Sequence, residues 1–229
     1  KATATVMRRL DDAGAINVGA LNLSEFAAGP TGHNEHFGHC RNAWNPAHIS
    51  GGSSSGSGAA TAVGAIYGAI GSDTGGSIRL PASFNGLAGL KPTWGRVSRF
   101  GAMPRAWSLD TVGPLTRTVA DCALMMSLVA GHDVQDATTS RLAVPDYIRS
   151  LGRSVNGMRI GIPANYFRDG VSDEVDTLFQ EACRVLQDLG CRVDIIEVPD
   201  PGEYDAIANA ISKSEAAAIH SRWMRERPK

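Results

Sequence analysis

The sequence predicts an α/β protein whose mixed central β-sheet is sandwiched between helical layers. Two observations lead to this fold class. Along the 229 residues, apolar positions at helical spacing alternate with short apolar segments typical of strands. In addition, the small apolar run at 59–70 is typical of a buried helix that continues into a strand. Such alternation indicates a sheet with helices on both faces.

The N-terminal part predicts the opening of an α/β unit. Residues 2–14 have apolar side chains at helical spacing and end at a glycine, a typical C-terminal stop. The segment 15–21 predicts a buried strand, and 22–26 a short helix with Asn22 as its N-cap. The loop that follows, at 29–50, is long enough to be functional rather than a simple connection.

The alternation continues along the rest of the chain. We expect a short helix around 81–84 whose first turn begins at Ser77, then a central strand at 86–90 and irregular chain at 96–108. The later elements are expected to be a helix at 116–130, a strand at 158–162, a helix at 172–189, a strand at 192–196 and a helix at 204–224.

Composition and charge argue against several classes of function. The formal net charge is −1, so the sequence lacks the electrostatic footprint of a protein that binds nucleic acid directly or an acidic membrane. No apolar run is long enough to span a bilayer. The four cysteines show no metal-ligand spacing, which favours a reducing, cytoplasmic setting. They are Cys40, Cys122, Cys183 and Cys191.

Three histidines spaced by three residues raise the alternative of a metal site in the loop at 29–50. They are His33, His36 and His39. No Asp or Cys stands at ligand spacing near them, and Gly and Pro flank them loosely. We therefore expect no metal there.

Two clusters of Gly and Ser carry the chemistry of the sequence. The first is GGSSSGSG at 51–58, and the second is GSDTGGSIR at 71–79. Serine-bearing turns held on rigid, buried elements match how a nucleophile and its proton acceptor are fixed within hydrogen-bonding reach. A flexible linker and a phosphate-binding loop are simpler interpretations of the first cluster. However, the run does not separate two complete domains, and no Gly-Lys-Ser/Thr is present.

A nucleophile elbow is a further alternative for the first cluster. Residues 52–56 fit its Gly-x-Ser-x-Gly pattern with Ser54 as the nucleophile. An elbow must follow a strand, and the preceding 45–50 is short and contains proline. The acid and base of such a triad would come from Asp133, Asp173 and His220.

Taken together, the motifs resemble the amidase signature family. The resemblance is carried by 51–58, by 71–81, by Gly-Leu-Lys-Pro-Thr at 89–93 and by Asp-Thr-Val-Gly-Pro-Leu-Thr-Arg at 110–117. It covers about residues 3–131. The C-terminal portion 132–229 is less distinctive, and from about residue 157 onward the similarity is only in general pattern. The resemblance implies that 1–229 is a fragment of a single amidase domain, incomplete at both ends.

This resemblance implies a Ser-cisSer-Lys mechanism with an acyl-enzyme intermediate. Ser77 would be the nucleophile. Ser53, whose own peptide bond would be cis, would relay the Ser77 proton to a neutral lysine. The backbone N–H groups of Thr74, Gly75 and Gly76 would form the oxyanion hole.

Three residues are expected to support these groups, namely Ser54, Asp73 and Arg79. The simplest role for Asp73 and Arg79 is an ion pair that fixes the shape of the second serine turn. A simpler interpretation of Ser77 itself is that it is an ordinary helix cap.

The family's catalytic lysine has no counterpart in this chain. It is expected several tens of residues before the first serine cluster, and Lys1 lies too late to match it. The other lysines are Lys91, Lys213 and Lys229. We therefore expect the 229 residues alone to be inactive. A non-catalytic remnant of the amidase fold that binds a partner is the alternative.

The resemblance implies hydrolysis of a small-molecule carboxylic amide, with no metal or organic cofactor. Its acyl pocket would be shaped by 33–45 and 103–107, and a homo-oligomer is left open. The alternative is the glutaminase-type A-subunit of a tRNA-dependent amidotransferase. Those proteins characteristically have Gln between the Arg and Pro that follow the nucleophile, whereas this chain has Leu80, which favours a stand-alone amidase.

Overall fold

The computed structural model describes residues 3–226 and confirms the α/β class. Two compact units are present. The described residues of Lys1–Leu151 and Ser212–Lys229 form one unit, and Gly152–Ile211 forms the other. That 1–229 is part of one amidase domain remains a prediction.

The elements follow one another in the alternating order that the sequence predicts. The helices are α1 Thr5–Asp12, α2 Ser55–Ala62, α3 Arg79–Asn85, α4 Val119–Val129, α5 Tyr147–Ser150, α6 Asp173–Asp188 and α7 Pro201–Glu226, with a short 3₁₀ turn at Glu25–Ala27. The strands are β1 Gly68–Asp73, β2 Ala88–Gly89, β3 Thr111–Thr116, β4 Arg159–Pro163 and β5 Arg192–Ile196. Within the described residues, no helix is long and apolar enough to cross a membrane.

The first unit is built on a three-stranded antiparallel sheet in the order β1-β3-β2. Successive side chains of a strand point to opposite faces. On β3, Val112 packs into one core cluster with Val6 and Met126, from α1 and α4. Leu115 packs on the other face against Ile78 and against α3. The sheet therefore has helices on both sides, as predicted.

The central position in this sheet is occupied by β3, which the sequence analysis did not identify as a strand. The segment predicted as a central strand, 86–90, contributes only the two-residue edge strand β2. Pro114 in the middle of β3 hides the strand signal, because proline cannot donate to a ladder. The carbonyl of Pro114 accepts from the N–H of Leu90, just past the end of β2. In an antiparallel pair, the N–H and the carbonyl of one residue point toward the same neighbouring strand. The N–H that Pro114 lacks would therefore point toward β2, whose pairing with β3 has already ended at this position.

The segment 15–21 is not the buried strand that its apolar residues predicted. Ile16 is 87% exposed and Val18 is 72% exposed, and the segment pairs with no strand in the described part of the chain. The side chain of Asn22 also does not cap a helix. It donates to the carbonyl of Gly38, and the 3₁₀ turn begins three residues later.

The second unit contains a parallel pair of strands, β4 and β5, which are joined in sequence by α6. The helix begins at an N-cap, Ser172, whose hydroxyl accepts from the N–H of Val175. Gly190, at a φ of 88°, follows the end of the helix. These elements agree with the sequence prediction because local start and stop signals define them.

Candidate active site

The upstream serine turn, at 51–54, leads directly into α2. The peptide bond between Gly52 and Ser53 is cis, as the resemblance implies. The carbonyl of Ser53 accepts from the N–H of Ser24 at 3.0 Å, which fixes the backbone. The Ser53 residue is 1% exposed, and its hydroxyl has no hydrogen-bond partner among the described residues.

Close backbone packing around this turn requires glycine. A Cβ at Gly52 would lie 2.6 Å from the carbonyl oxygen of Gly29. A Cβ at Gly56 would lie 2.6 Å from the backbone nitrogen of Asn22. The flexible-linker interpretation of 51–58 is therefore wrong, because the run is a buried helix start packed against two other segments.

The downstream turn follows β1 and is organised by Asp73. One carboxylate oxygen accepts from the N–H of Gly76 at 2.7 Å, and the other accepts from the N–H of Ile78 at 3.1 Å. Arg79 donates to both oxygens, from Nη2 and Nε, at 3.0 Å each. The predicted ion pair is thus confirmed, in bidentate geometry.

Burial and hydrogen bonding act in opposite directions on the Asp73 carboxyl, which is 0% exposed. Burial raises its pKa, but the hydrogen bonds from Arg79, Gly76 and Ile78 together lower it below its usual value. The group therefore stays ionised and continues to hold the turn at neutral pH.

The contact with Asp73 also changes the set of oxyanion donors that the resemblance implied. The N–H of Gly76 points at the Asp73 carboxylate and is not free for a ligand. The N–H groups of Thr74, Gly75 and Ser77 have no acceptor among the described residues. Two of the three predicted donors remain, and Ser77 adds one that the sequence analysis did not propose.

Ser77 is not a helix cap. The N-cap residue of α3 is Ile78, and no side chain forms a capping hydrogen bond there. The simpler interpretation of Ser77 is therefore wrong, which leaves its hydroxyl without a structural role in the described chain.

The two turns are joined through Ser54. Its N–H donates to the carbonyl of Ser77 at 3.2 Å. Its hydroxyl donates to the carbonyl of Ser72 at 3.2 Å and accepts from the N–H of that residue at 3.1 Å. Ser54 thus ties the start of α2 to the last residues of β1 and brings Ser53 and Ser77 into neighbouring turns.

Two asparagines hold the chain before the upstream turn, and the sequence analysis did not select Asn85. Buried Asn85 donates to the carbonyl of Ser50 at 2.7 Å and accepts from the N–H of Ala43 at 3.0 Å. Asn42 donates to the carbonyl of Phe84 at 2.7 Å. These partners are 35 to 42 residues apart, so no local pattern could have indicated the contacts.

The nucleophile-elbow alternative does not fit the geometry. No strand precedes Ser54 in the loop at 29–50, and the Ser54 hydroxyl is occupied by the backbone of Ser72. The buried Asp133 carboxylate accepts from Thr5 and Ser98. Both ring nitrogens of His220 lack a hydrogen-bond partner among the described residues, so no such His–Asp pair exists there.

The histidine loop likewise gives no metal cage. The rings of His33 and His39 are tilted relative to one another with centroids 4.5 Å apart, and His39 Nδ1 accepts from the N–H of Asn34. Across residues 3–226, no group of three or more His, Cys, Asp or Glu side chains is arranged to hold a metal ion.

A cavity of about 230 Å³ adjoins the downstream turn. Met103 and Trp107, from the segment predicted to shape the acyl pocket, line it, whereas no residue of the loop 33–45 does. Neither Ser53 nor Ser77 lines the cavity; Thr74 connects it with the turn.

The described lysines do not contact either serine through a hydrogen bond. Lys91 Nζ donates to the carbonyl of Pro92, and Lys213 lies on α7. The structure therefore holds two of the three groups that the resemblance implied.

Comparison with known proteins supports the family resemblance that the motifs indicated. The Amidase family profile matches residues 1–227. The Glutamyl-tRNA(Gln) amidotransferase A-subunit of Moorella thermoacetica is 49% identical over 221 residues, which are 96% of this chain and 45% of that protein. The chain thus spans about half the length of such relatives.

Solved structures extend the similarity to the fold. The crystal structure of the Glutamyl-tRNA(Gln) amidotransferase A-subunit from Thermotoga maritima matches with a TM-score of 0.92 at 38% identity, covering 99% of this chain and 51% of that one. The native peptide amidase from Stenotrophomonas maltophilia matches with a TM-score of 0.88 at 36% identity, covering 98% and 48%. Since the family profile and these structures cover nearly every residue, including both serine turns, the chain belongs to the amidase family.

Proposed function

We propose that the whole protein hydrolyses a carboxylic amide through an acyl-enzyme on Ser77. The Ser77 oxygen attacks the amide carbonyl carbon and gives up its proton through Ser53. The carbon–nitrogen bond then breaks, and the nitrogen leaves as ammonia or an amine after accepting a proton. Water hydrolyses the resulting ester, which releases the acid and restores the hydroxyl.

The observation that carries this proposal is the unpartnered hydroxyl of Ser53. Buried polar groups are nearly always hydrogen-bonded, so each exception calls for an explanation. Ser53 is 1% exposed and lies beside the turn that bears Ser77. In a relay, the Ser53 hydroxyl would accept a hydrogen bond from Ser77 and donate one to the base, which would supply both of the bonds it lacks.

The oxyanion is assigned to the backbone N–H groups of Thr74, Gly75 and Ser77. They come from a tight turn of small residues and have no acceptor in the described chain. Donors held in place before the reaction stabilise developing charge most effectively. Asp73 supports them by fixing the turn through its hydrogen bonds with Gly76 and Arg79.

The proton acceptor for Ser53 is not among the residues described. A neutral lysine from another part of the protein fits the chemistry, and we expect the 229 residues alone to form no acyl-enzyme. The four free cysteines are compatible with the cytoplasmic location that the sequence predicted.

The substrate is proposed to be a simple amide, with glutamine as the second candidate. Leu80 cannot hydrogen-bond a polar substrate group, which favours the first. Against it, curated relatives that are 44–49% identical are amidotransferase A-subunits. Ammonia release from aliphatic and aromatic amides, compared with glutamine, separates the two. Activity confined to glutamine, and dependent on partner proteins, would favour the second candidate.

Labelling with a fluorophosphonate probe, followed by mass spectrometry, tests the roles of the serines. We expect the probe on Ser77 in the whole protein, no label in Ser77→Ala and severely slowed labelling in Ser53→Ala. Label on Ser54 with Ser77 untouched would refute the assignment. Absence of any label in the whole protein would favour the non-catalytic alternative.

A further inference from the structure

The cavity beside the downstream serine turn adjoins the proposed oxyanion site at Thr74. Thr74 lines it together with Arg99, Arg105 and Asp110, in a volume of about 230 Å³. A substrate whose carbonyl oxygen is bound by the N–H of Thr74 would have its acyl group directed toward this space. The charges that line the cavity therefore bear on which acyl group fits.

One of the two arginines, Arg99, has hydrogen-bond partners at its terminal nitrogens, although its buried Nε has none. Arg99 donates to the carbonyl of Trp107 and to the hydroxyl of Thr138, the latter at 3.0 Å. Its guanidinium lies 4.9 Å from the centroid of the Trp94 ring and its Nε is 4.0 Å from Asp136. Arg99 therefore holds its own segment against those of Trp107 and Thr138.

The two carboxylates that line the cavity already accept hydrogen bonds from the protein. Asp110 accepts from the Thr74 hydroxyl at 2.5 Å and from the N–H groups of Arg105 and Ala106 at 2.8 and 2.9 Å. Asp136 accepts from the N–H groups of Arg99 and Thr138. Both carboxylates are thus held by hydrogen bonds within the protein, and Asp136 also lies 4.0 Å from the Nε of Arg99.

Arg105 is different, because its side chain forms no hydrogen bond or ion pair with the described residues. Its Nε atom, like that of Arg99, is buried and has no acceptor, but the terminal nitrogens of Arg105 also lack a partner among the described residues, whereas those of Arg99 do not. Burying an N–H group of a cation without an acceptor is unfavourable. A guanidinium offers parallel donors that match a carboxylate in two-point geometry.

We propose that Arg105 binds a carboxylate on the acyl group, so that the substrate is the monoamide of a short dicarboxylic acid. This inference rests on the proposed acyl-enzyme at Ser77 and names its substrate class. A neutral alkyl chain in the same position would leave the Nε of Arg105 unpaired. A carboxylate would satisfy it and would fix the direction of the acyl chain relative to Thr74.

The test compares two amides of the same shape on the whole protein. Succinamic acid carries the carboxylate, and 4-methylpentanamide replaces it with an isopropyl group. We expect the wild type to prefer succinamic acid. Arg105→Leu should lower kcat/KM for succinamic acid by roughly 10- to 100-fold, as expected for loss of a charge-assisted hydrogen bond. Its activity on 4-methylpentanamide should stay the same.

Two further variants control for charge and folding. Arg105→Lys should recover part of the preference, because it restores the charge without the two-point geometry. Arg117→Leu removes an exposed arginine outside the cavity and should leave the preference unchanged. Equal loss on both amides, or no loss on either, would overturn the proposal.

A measurement on the wild type alone covers the case in which Arg105→Leu does not fold. Succinate should protect Ser77 from the fluorophosphonate probe at a concentration at least roughly tenfold below that needed for butyrate. Equal protection would overturn the proposal. Absence of labelling at Ser77 would instead show that the proposed function has failed, so the two failures are distinguishable.

Discussion

The two serine turns are made of the same kinds of residue but are held by different forces. Around Ser53, the chain is fixed by backbone atoms that approach so closely that glycine is required at 52 and 56. Around Ser77, the chain is fixed by one ionised carboxylate, Asp73, and the donors that surround it.

This difference predicts which changes each turn tolerates. The upstream turn is sensitive to added volume, because neighbouring backbone cannot rotate away as a side chain can. The downstream turn is sensitive to charge and to pH, while a Cβ at Gly75 would meet no atom within 4 Å. A relay that needs both turns in register depends on both kinds of constraint.

The largest effect is expected from added volume in the upstream turn. Gly56→Ala places a Cβ 2.6 Å from the nitrogen and 2.7 Å from the oxygen of the Asn22 backbone. Overpacking of a rigid core costs about 1–3 kcal/mol, and contact with two backbone atoms of Asn22 places this change at about 3 kcal/mol or more. Urea unfolding would measure the loss.

The same substitution in the downstream turn is the matched control. Gly75→Ala should change the free energy of unfolding by about 0.5 kcal/mol or less, since the new methyl group has open space. Equal losses for Gly56→Ala and Gly75→Ala would contradict the comparison between the turns.

Removal of charge should have the second largest effect. Asp73→Asn leaves the bidentate partner Arg79 without a carboxylate, and we expect a loss of about 2–3 kcal/mol. The value is below that of a fully buried pair because the Arg79 side chain is 54% exposed and can be solvated. Arg79→Met should cost less, since Gly76 and Ile78 still donate to Asp73. A larger loss for Arg79→Met would reverse the assigned roles.

The downstream turn should also introduce a dependence on acid. Because the pKa of Asp73 is lowered by folding, its contribution is complete above the unfolded pKa of about 3.9 and is lost as pH falls through the folded value. In urea unfolding from pH 7 to pH 3, the difference in the free energy of unfolding between wild type and Asp73→Asn should therefore narrow toward the acid end.

Asp133 is a second buried carboxylate, and it makes the free energy of unfolding depend on pH in both the wild type and Asp73→Asn. Burial raises the pKa of Asp133, but hydrogen bonds from Ser98 and Thr5 outweigh it and lower the pKa to about 2. The difference between wild type and Asp73→Asn thus isolates the turn. A constant difference across the pH range would show that Asp73 does not act through its charge.

Sequence alone predicted the elements whose signals are local. The helix α6 has its cap at Ser172 and its stop at Gly190, and the Asp73–Arg79 pair spans only six residues. By contrast, a strand depends on partners elsewhere in the chain. For this reason the sequence analysis did not identify β3, in which Pro114 obscures the strand pattern. It also wrongly predicted the apolar segment 15–21 as a buried strand.

The candidate site divides in the same way. The sequence motif was enough to place Ser53 and Ser77 in neighbouring turns. It could not show which backbone N–H groups stay free, because that depends on which N–H groups the Asp73 carboxylate accepts from. Gly76 was therefore assigned to the oxyanion hole although its N–H is bound by Asp73. Asn85 was missed because its partners, Ser50 and Ala43, are distant in sequence.

The smallest effect is expected at the residue that joins the two turns. Ser54→Ala would leave the N–H and carbonyl of Ser72 without their side-chain partner, and we expect a loss of about 1–2 kcal/mol. Ser57→Ala is the control, because its hydroxyl also bonds β1, at the carbonyl of Ile70, without linking the turns. Ser57→Ala should lose no more stability in urea than Ser54→Ala, because it removes one hydrogen bond where Ser54→Ala removes two. Only Ser54→Ala should slow fluorophosphonate labelling of Ser77, since only that change loosens one turn relative to the other. Equal labelling rates would mean that backbone contacts alone, such as the N–H of Ser54 on the carbonyl of Ser77, keep the turns in register.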